Sequence, residues 1–214
     1  TALTAAAEAH IRSMREKYEK LTSVNPAVKV LEPHYSKDNK AVRFGFLKGK
    51  TLAEILGEQI TGKKAPVEAL KAAMDRVFGQ AVLKKEPFTP TDQFKEVFGD
   101  SEEILSLQDT SYEVSNIDGL FENLMETQDG LYCLDYEWVF DFPIPEKFLK
   151  YRNLLYFYRR YEKVLNVKEE ELYAHFGITA EEQAVFDGME KAFQSYVHDA
   201  GSFGYMKQYE QPTK

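Results

Sequence analysis

Over residues 4–21 the apolar positions Ala7, Ile11, Met14, Tyr18 and Leu21 recur three and four apart, which predicts a helix with one stripe against a core. Asn25-Pro26 ends it. Two β-type runs follow, residues 28–31 and 41–47, separated by Lys37-Asp38-Asn39 and expected to pair as a hairpin. The segment 47–50 breaks the second run. Thr51 and Glu54 then have the spacing of a reciprocal cap that opens a helix to about Ile60. Pro66 suits the first turn of another helix, which runs through Leu70, Met74 and Val77 and stops at Gly79. Between Gln80 and Tyr112 the pattern weakens and predicts one short helix over residues 90–98.

Further on, the runs 123–125 and 131–134 flank Gln128-Asp129-Gly130, a turn signal that predicts a second hairpin. The prolines of Phe142-Pro143-Ile144-Pro145 interrupt regular pairing. Phe148, Tyr151, Leu154, Leu155, Tyr158 and Tyr161 then fall on one broad helical face, read as core. Helices are expected over residues 168–175 and from Thr179, where Glu182 completes another capping box, with Val185, Met189 and Phe193 buried. The tail from Asp199 is expected to be loose.

With 43% hydrophobic residues, 214 residues suffice for a sizeable core, as one large domain or two small ones. A single cysteine, Cys133, excludes an internal disulfide framework and a cysteine-based zinc site, and fits a reducing compartment. The net charge of -8 argues against grip on a phosphate backbone, so nucleic acid is not an expected partner. No apolar run approaches the roughly 20 residues of a membrane span, and residues 1–10 lack a secretion-signal pattern. A cytoplasmic protein is expected.

The candidate chemistry lies between Asn116 and Asp135. Asp118 and Asn123 stand five apart on an expected loop, and Asp135 follows at the end of an expected strand. Phosphoryl transfer needs a carboxylate to take or orient the proton of the attacking hydroxyl, and oxygen ligands to hold magnesium against nucleotide phosphates. As plain structure, Asp118 would be a turn or cap residue and Asn123 a turn residue.

In this stretch the sequence resembles the protein-kinase-like superfamily, including its aminoglycoside-phosphotransferase branch, whose catalytic loop reads D-x4-N before a short hairpin and a metal-binding Asp. The matching residues are Asn116-Ile117-Asp118-Gly119-Leu120-Phe121-Glu122-Asn123 and Leu131-Tyr132-Cys133-Leu134-Asp135-Tyr136-Glu137-Trp138. The resemblance implies that Asp118 is the catalytic base, that Asn123 and Asp135 are metal ligands, and that the cofactors are Mg2+ and ATP. Asn116 stands where the family has histidine, and Tyr136-Glu137 where protein kinases have Phe-Gly. The resemblance also implies that Phe46, Leu47 and Lys48 form an adenine-contacting hinge, and that Glu8 is the helix acid that pairs with a strand lysine.

The segment from Asp135 to Pro145 is similar to one in bacterial proteins of lipopolysaccharide and surface-polysaccharide biosynthesis, beside glycosyltransferase or methyltransferase modules. The implied fold is α+β and mostly helical, a kinase-like C-terminal lobe with short β-hairpins and an incomplete N-terminal lobe. Residues 1–50 would be the remnant of that lobe and the hinge, 51–198 the helical lobe and 199–214 the tail. No G-x-G-x-x-G occurs, and Thr1 falls just after the place of the strand lysine. Two explanations follow: a piece of a longer polypeptide, or a degenerate module.

The expected function is ATP- and magnesium-dependent phosphoryl transfer to a hydroxyl, on a sugar or glycan acceptor, once upstream sequence completes the site. The alternative is a non-catalytic pseudokinase that docks neighbouring transferase domains through its aromatic C-terminal helices. An unrelated helical interaction domain is the third reading. His10, His34, His175 and His198 show no metal-ligand spacing and read as surface or capping residues. Glu137 and Trp138 read as a structural pair, Cys133 as a buried inert thiol, and Glu162 with 168–171 as a solvated face.

Overall fold

The computed structural model describes residues 5–25, 27–61, 65–79 and 85–199. In chain order its elements are α1 (Ala5–Val24), β1 (Val28–Val30), β2 (His34–Tyr35), β3 (Val42–Arg43), β4 (Lys50–Thr51), α2 (Leu52–Thr61), α3 (Pro66–Phe78), β5 (Lys85–Pro87), α4 (Asp92–Phe98) and α5 (Glu102–Leu105). Then come β6 (Thr110–Tyr112), β7 (Ser115–Asn116), β8 (Leu124–Thr127), β9 (Gly130–Cys133), β10 (Val139–Phe140), β11 (Ile144–Pro145), α6 (Glu146–Leu165), α7 (Glu169–His175) and α8 (Ala180–Asp199). The fold is α+β and mostly helical, with small sheets. None of the described helices is long and apolar enough to cross a membrane. The expected loose tail lies outside the described residues beyond Asp199.

The helices follow their local signals. α1 buries Ile11, Met14 and Leu21. At the start of α2 the Thr51 N–H donates to Glu54 Oε2 at 2.8 Å, and the Glu54 N–H donates back to Thr51 Oγ1 at 3.2 Å. Thr179 and Glu182 make the same exchange before α8, at 3.0 and 3.2 Å. α4 begins at Asp92 because Thr91 caps the Phe94 N–H. The aromatic face of α6 is core: Phe148, Tyr151 and Leu154 are fully buried. Phe98 contacts Phe148 and Phe193, tying α4, α6 and α8 together.

The expected pairing of 28–31 with 41–47 is not what forms. β1 runs parallel to β9, Val28 opposite Leu131 and Val30 opposite Cys133. The true hairpin joins β2 to β3 around Asn39, whose φ of 55° turns the chain. The physical reason is burial. Val28 needs a buried neighbour, whereas residues 43–46 are exposed and their alternation has no core to face. Residues 44–49 are irregular.

The second hairpin forms as expected, β8 against β9 with Thr127 opposite Gly130. β4 joins the free edge of β8, giving one sheet ordered β1-β9-β8-β4, which combines strands from either side of residue 50. At Gly49 the backbone comes so close to β8 that an added Cβ would lie 2.0 Å from the Glu126 carbonyl oxygen. β7 pairs with β10, and β6 pairs with both β5 and β11.

At the start of α6, Glu146 is buried among cations. Burial alone would raise its carboxyl, but hydrogen bonds from Lys150, Lys85 and Thr110 outweigh it and bring the group down to about 2. A depressed carboxylate contributes stability that is present above its unfolded value near 4.5 and is lost as pH falls through 2. Glu146→Gln is therefore expected to destabilise the protein by about 2–3 kcal/mol at pH 7. In urea melts that deficit should shrink between pH 4.5 and 2, and a deficit unchanged over that range would refute the assignment.

Candidate functional site

The loop 117–123 joins β7 to β8 and is fastened from three sides. Ile117, Phe121 and Leu124 are fully buried and anchor it to the core. Within the loop, Asn116 Oδ1 accepts from the Asp118 N–H at 3.1 Å, and Asn123 Nδ2 donates to the Asp118 carbonyl at 2.9 Å. From beneath, two consecutive polar residues of α6 hold it. Arg152 donates to the Ile117 carbonyl. Asn153 donates to the Gly119 carbonyl at 3.2 Å and accepts from the Phe121 N–H at 2.8 Å. The first turn of α2 adds a bond from the Ala53 N–H to the Phe121 carbonyl at 3.0 Å.

Asp135 follows β9 and is tied to this loop. The Leu134 N–H donates to the Asn123 carbonyl at 2.8 Å, and Asn116 Nδ2 donates to the Asp135 carbonyl at 3.2 Å. Asn116 therefore bridges the backbone of both candidate acids. The Trp138 N–H donates to Asp118 Oδ2 at 2.7 Å, and the Ile117 N–H returns a bond to the Trp138 carbonyl at 3.0 Å. These bonds bring Asp118 and Asp135 together. Burial, and after it the charge of Asp135, pushes the Asp118 carboxyl up to about 7. Glu137 is raised by burial and by the same Asp135 charge.

α1 supplies two residues that the sequence reading left out of the site. His10 and Lys17 are seven apart, so they share one side of the helix. The His10 ring lies against Trp138 at 6.2 Å between centroids, and its Nε2 is 3.7 Å from the Glu137 carboxylate. Burial first, then the Lys17 charge, lowers the His10 pKa. Lys17 donates to the Glu137 carbonyl, and the charges of Glu137, Asp118 and Asp135 all act on its ammonium. His10 is therefore part of this acid-lined region rather than a surface cap, and Glu137 faces His10.

The other expected residues stand differently. Glu8 is 200° around α1 from His10 by helical geometry, where it pairs with Lys40 at 2.8 Å and Arg12 at 3.3 Å. Its partner is a lysine of the β2–β3 turn. Phe46, Leu47 and Lys48 lie on the irregular segment before β4, with Phe46 94% exposed. Two residues earlier, Phe44 meets the Tyr136 ring edge-on at 5.9 Å, beside Asp135. Cys133 is buried, its thiol pushed up to about 12 by burial and by the two aspartates.

The donors at this site are hard oxygens: the carboxylates of Asp118 and Asp135 and the side-chain oxygen of Asn123, whose amide nitrogen is already used within the loop. Such a set suits Mg2+, which keeps waters and takes phosphate oxygens to complete its octahedron. Among the described residues, no three His, Cys, Asp or Glu side chains are grouped to hold a metal unaided. Compared with protein-family models, with curated proteins and with solved structures, the chain matches none.

Proposed function

We propose that the loop 116–123 and Asp135 form a phosphotransferase site of protein-kinase-like type, the C-terminal-lobe portion of a kinase-like domain from bacterial surface-polysaccharide biosynthesis. The observation that carries the reading is the meeting of Asp118 and Asp135. The β8–β9 hairpin and the Asn116 bridge hold them in one another's field, and each carboxylate spends one oxygen on a backbone N–H, Asp118 on Trp138 and Asp135 on Glu137, which leaves the other oxygen of each for a ligand. A fold gains from such a pair when a cation joins it.

In this reading Asp118 takes the proton of the attacking hydroxyl. Its value of about 7 leaves a large share of the carboxylate free at neutral pH, while binding the proton firmly enough to remove it from an alcohol as the new P–O bond forms. Asp135 and Asn123 would hold Mg2+, which when bound neutralises phosphate charge and orients the transferred group. Asn116, Asn153 and Arg152 fix the loop beneath, so that Asp118 keeps its place. The acceptor is a hydroxyl on a sugar or glycan.

Titrating ATP with Mg2+ while following thermal unfolding tests this. At a hundred times its dissociation constant the nucleotide should add roughly 2.7 kcal/mol to wild-type stability. Asp135→Ala should abolish the gain. A wild-type protein that gains nothing would favour a docking module for neighbouring transferase domains instead.

A further inference from the structure

We propose that Lys17, on α1, is the residue that grips the phosphate oxygens of the bound nucleotide; the inference rests on the phosphotransferase reading above. Lys17 is half-buried, and any ammonium donor turned away from water costs free energy unless an acceptor meets it. Among the described residues Lys17 uses one donor, on the Glu137 carbonyl. Among the same residues its other two donors meet no protein acceptor and are left to solvent.

Asp118, Asp135 and Glu137 all act on the Lys17 charge, yet none of their carboxylates lies within ion-pair distance of it. Lys17 is thus a cation beside the two acids and not locked to either. A polyphosphate approaching two carboxylates is repelled by both, so a site for it needs positive charge in addition to a divalent cation. Arg152 also acts on Asp118, but that guanidinium is committed to Glu190 at 2.6 Å and to the Ile117 carbonyl. Of these two cations, Lys17 is the one with donors left to give an oxyanion. His10, seven residues earlier, closes the same side without adding charge when neutral, as its lowered pKa favours.

The test compares Mg·ATP affinity in the whole chain for wild type, Lys17→Met and Lys17→Arg, with Mg2+ binding alone as the control. Loss of one charge-assisted phosphate contact should weaken Mg·ATP by about tenfold or more in Lys17→Met, with much of it restored in Lys17→Arg. Mg2+ alone should bind Lys17→Met at least as well as wild type, since a neighbouring positive charge is gone. In unmutated protein, Mg·ATP should also slow acylation of Lys17 by an amine-reactive reagent, read by mass spectrometry.

A lysine that only neutralises the acids gives the opposite pattern: Lys17→Met would bind Mg·ATP as tightly as wild type or more so, and nucleotide would not alter its labelling. Either result overturns the proposal while leaving the phosphotransferase reading standing. Failure of wild type to bind Mg·ATP overturns both.

Discussion

Asp118→Asn is expected to make the protein more stable, by about 2–4 kcal/mol at pH 8, with the gain falling to a fraction of that by pH 4. The sign follows from the raised carboxyl. Between its unfolded value of 3.8 and its folded value of about 7, the folded state binds more protons than the unfolded one. Wild-type stability therefore declines as pH climbs through that interval, and the full deficit is present above 7. Asparagine has no proton to lose, and it keeps an oxygen for the Trp138 N–H. Urea denaturation of both proteins across this range measures the effect. A variant less stable than wild type at pH 8, or a difference that ignores pH, would mean that Asp118 is not buried beside the charge of Asp135. An ordinary turn aspartate would behave in that second way.

Much of the helical scaffold could be read from the chain because its determinants are local. Thr51 with Glu54, and Thr179 with Glu182, announce helix starts within four residues, and the 3.6-residue recurrence in α1 and α6 marks the buried side. The β8–β9 hairpin was equally local, since Gly130 at a φ of 122° closes a turn between adjacent strands. β1 was different. Its partner, β9, lies about a hundred residues away and runs parallel, so no turn signal joins them. The strands β5, β6, β7, β10 and β11 are two or three residues long, too short to show any period.

The same contrast divides the site. The D-x4-N spacing and the following Asp135 were visible as a motif on a loop and a strand end, and the structure places all three where backbone bonds link them. Lys17 was not visible. The stripe of Ile11, Met14 and Leu21 defines which side of α1 meets the core, and Lys17 belongs to the polar remainder. Only tertiary structure turns part of that remainder toward Asp118 and Glu137. A usable clue did exist in α6, where Arg152-Asn153 interrupts the fully buried run of Tyr151 and Leu154. A charged and an amide side chain at the centre of an apolar face must have buried partners, and here those partners are the loop carbonyls beneath Asp118.

Arg152→Ala is expected to cost about 3–5 kcal/mol in urea denaturation at neutral pH. The guanidinium is buried, bonds Glu190 Oε2 at 2.6 Å and donates to the Ile117 carbonyl, so its removal strands both a carboxylate and a carbonyl. Tyr156 and Gln194 still reach Glu190, at 2.8 and 2.9 Å, but neither brings charge. Replacing both members with apolar residues of similar size, Arg152→Met with Glu190→Leu, should cost less than the sum of the two single losses, because no charge is then left unpaired. Strict additivity would mean that the two side chains do not act as a pair. Hydrogen exchange separates stability from position: in Arg152→Ala, amides of 117–123 should lose protection beyond the global change, because Ile117 loses the donor that holds the loop against α6. Asp118 should also bind its proton more tightly, since the Arg152 charge that opposes its rise is gone.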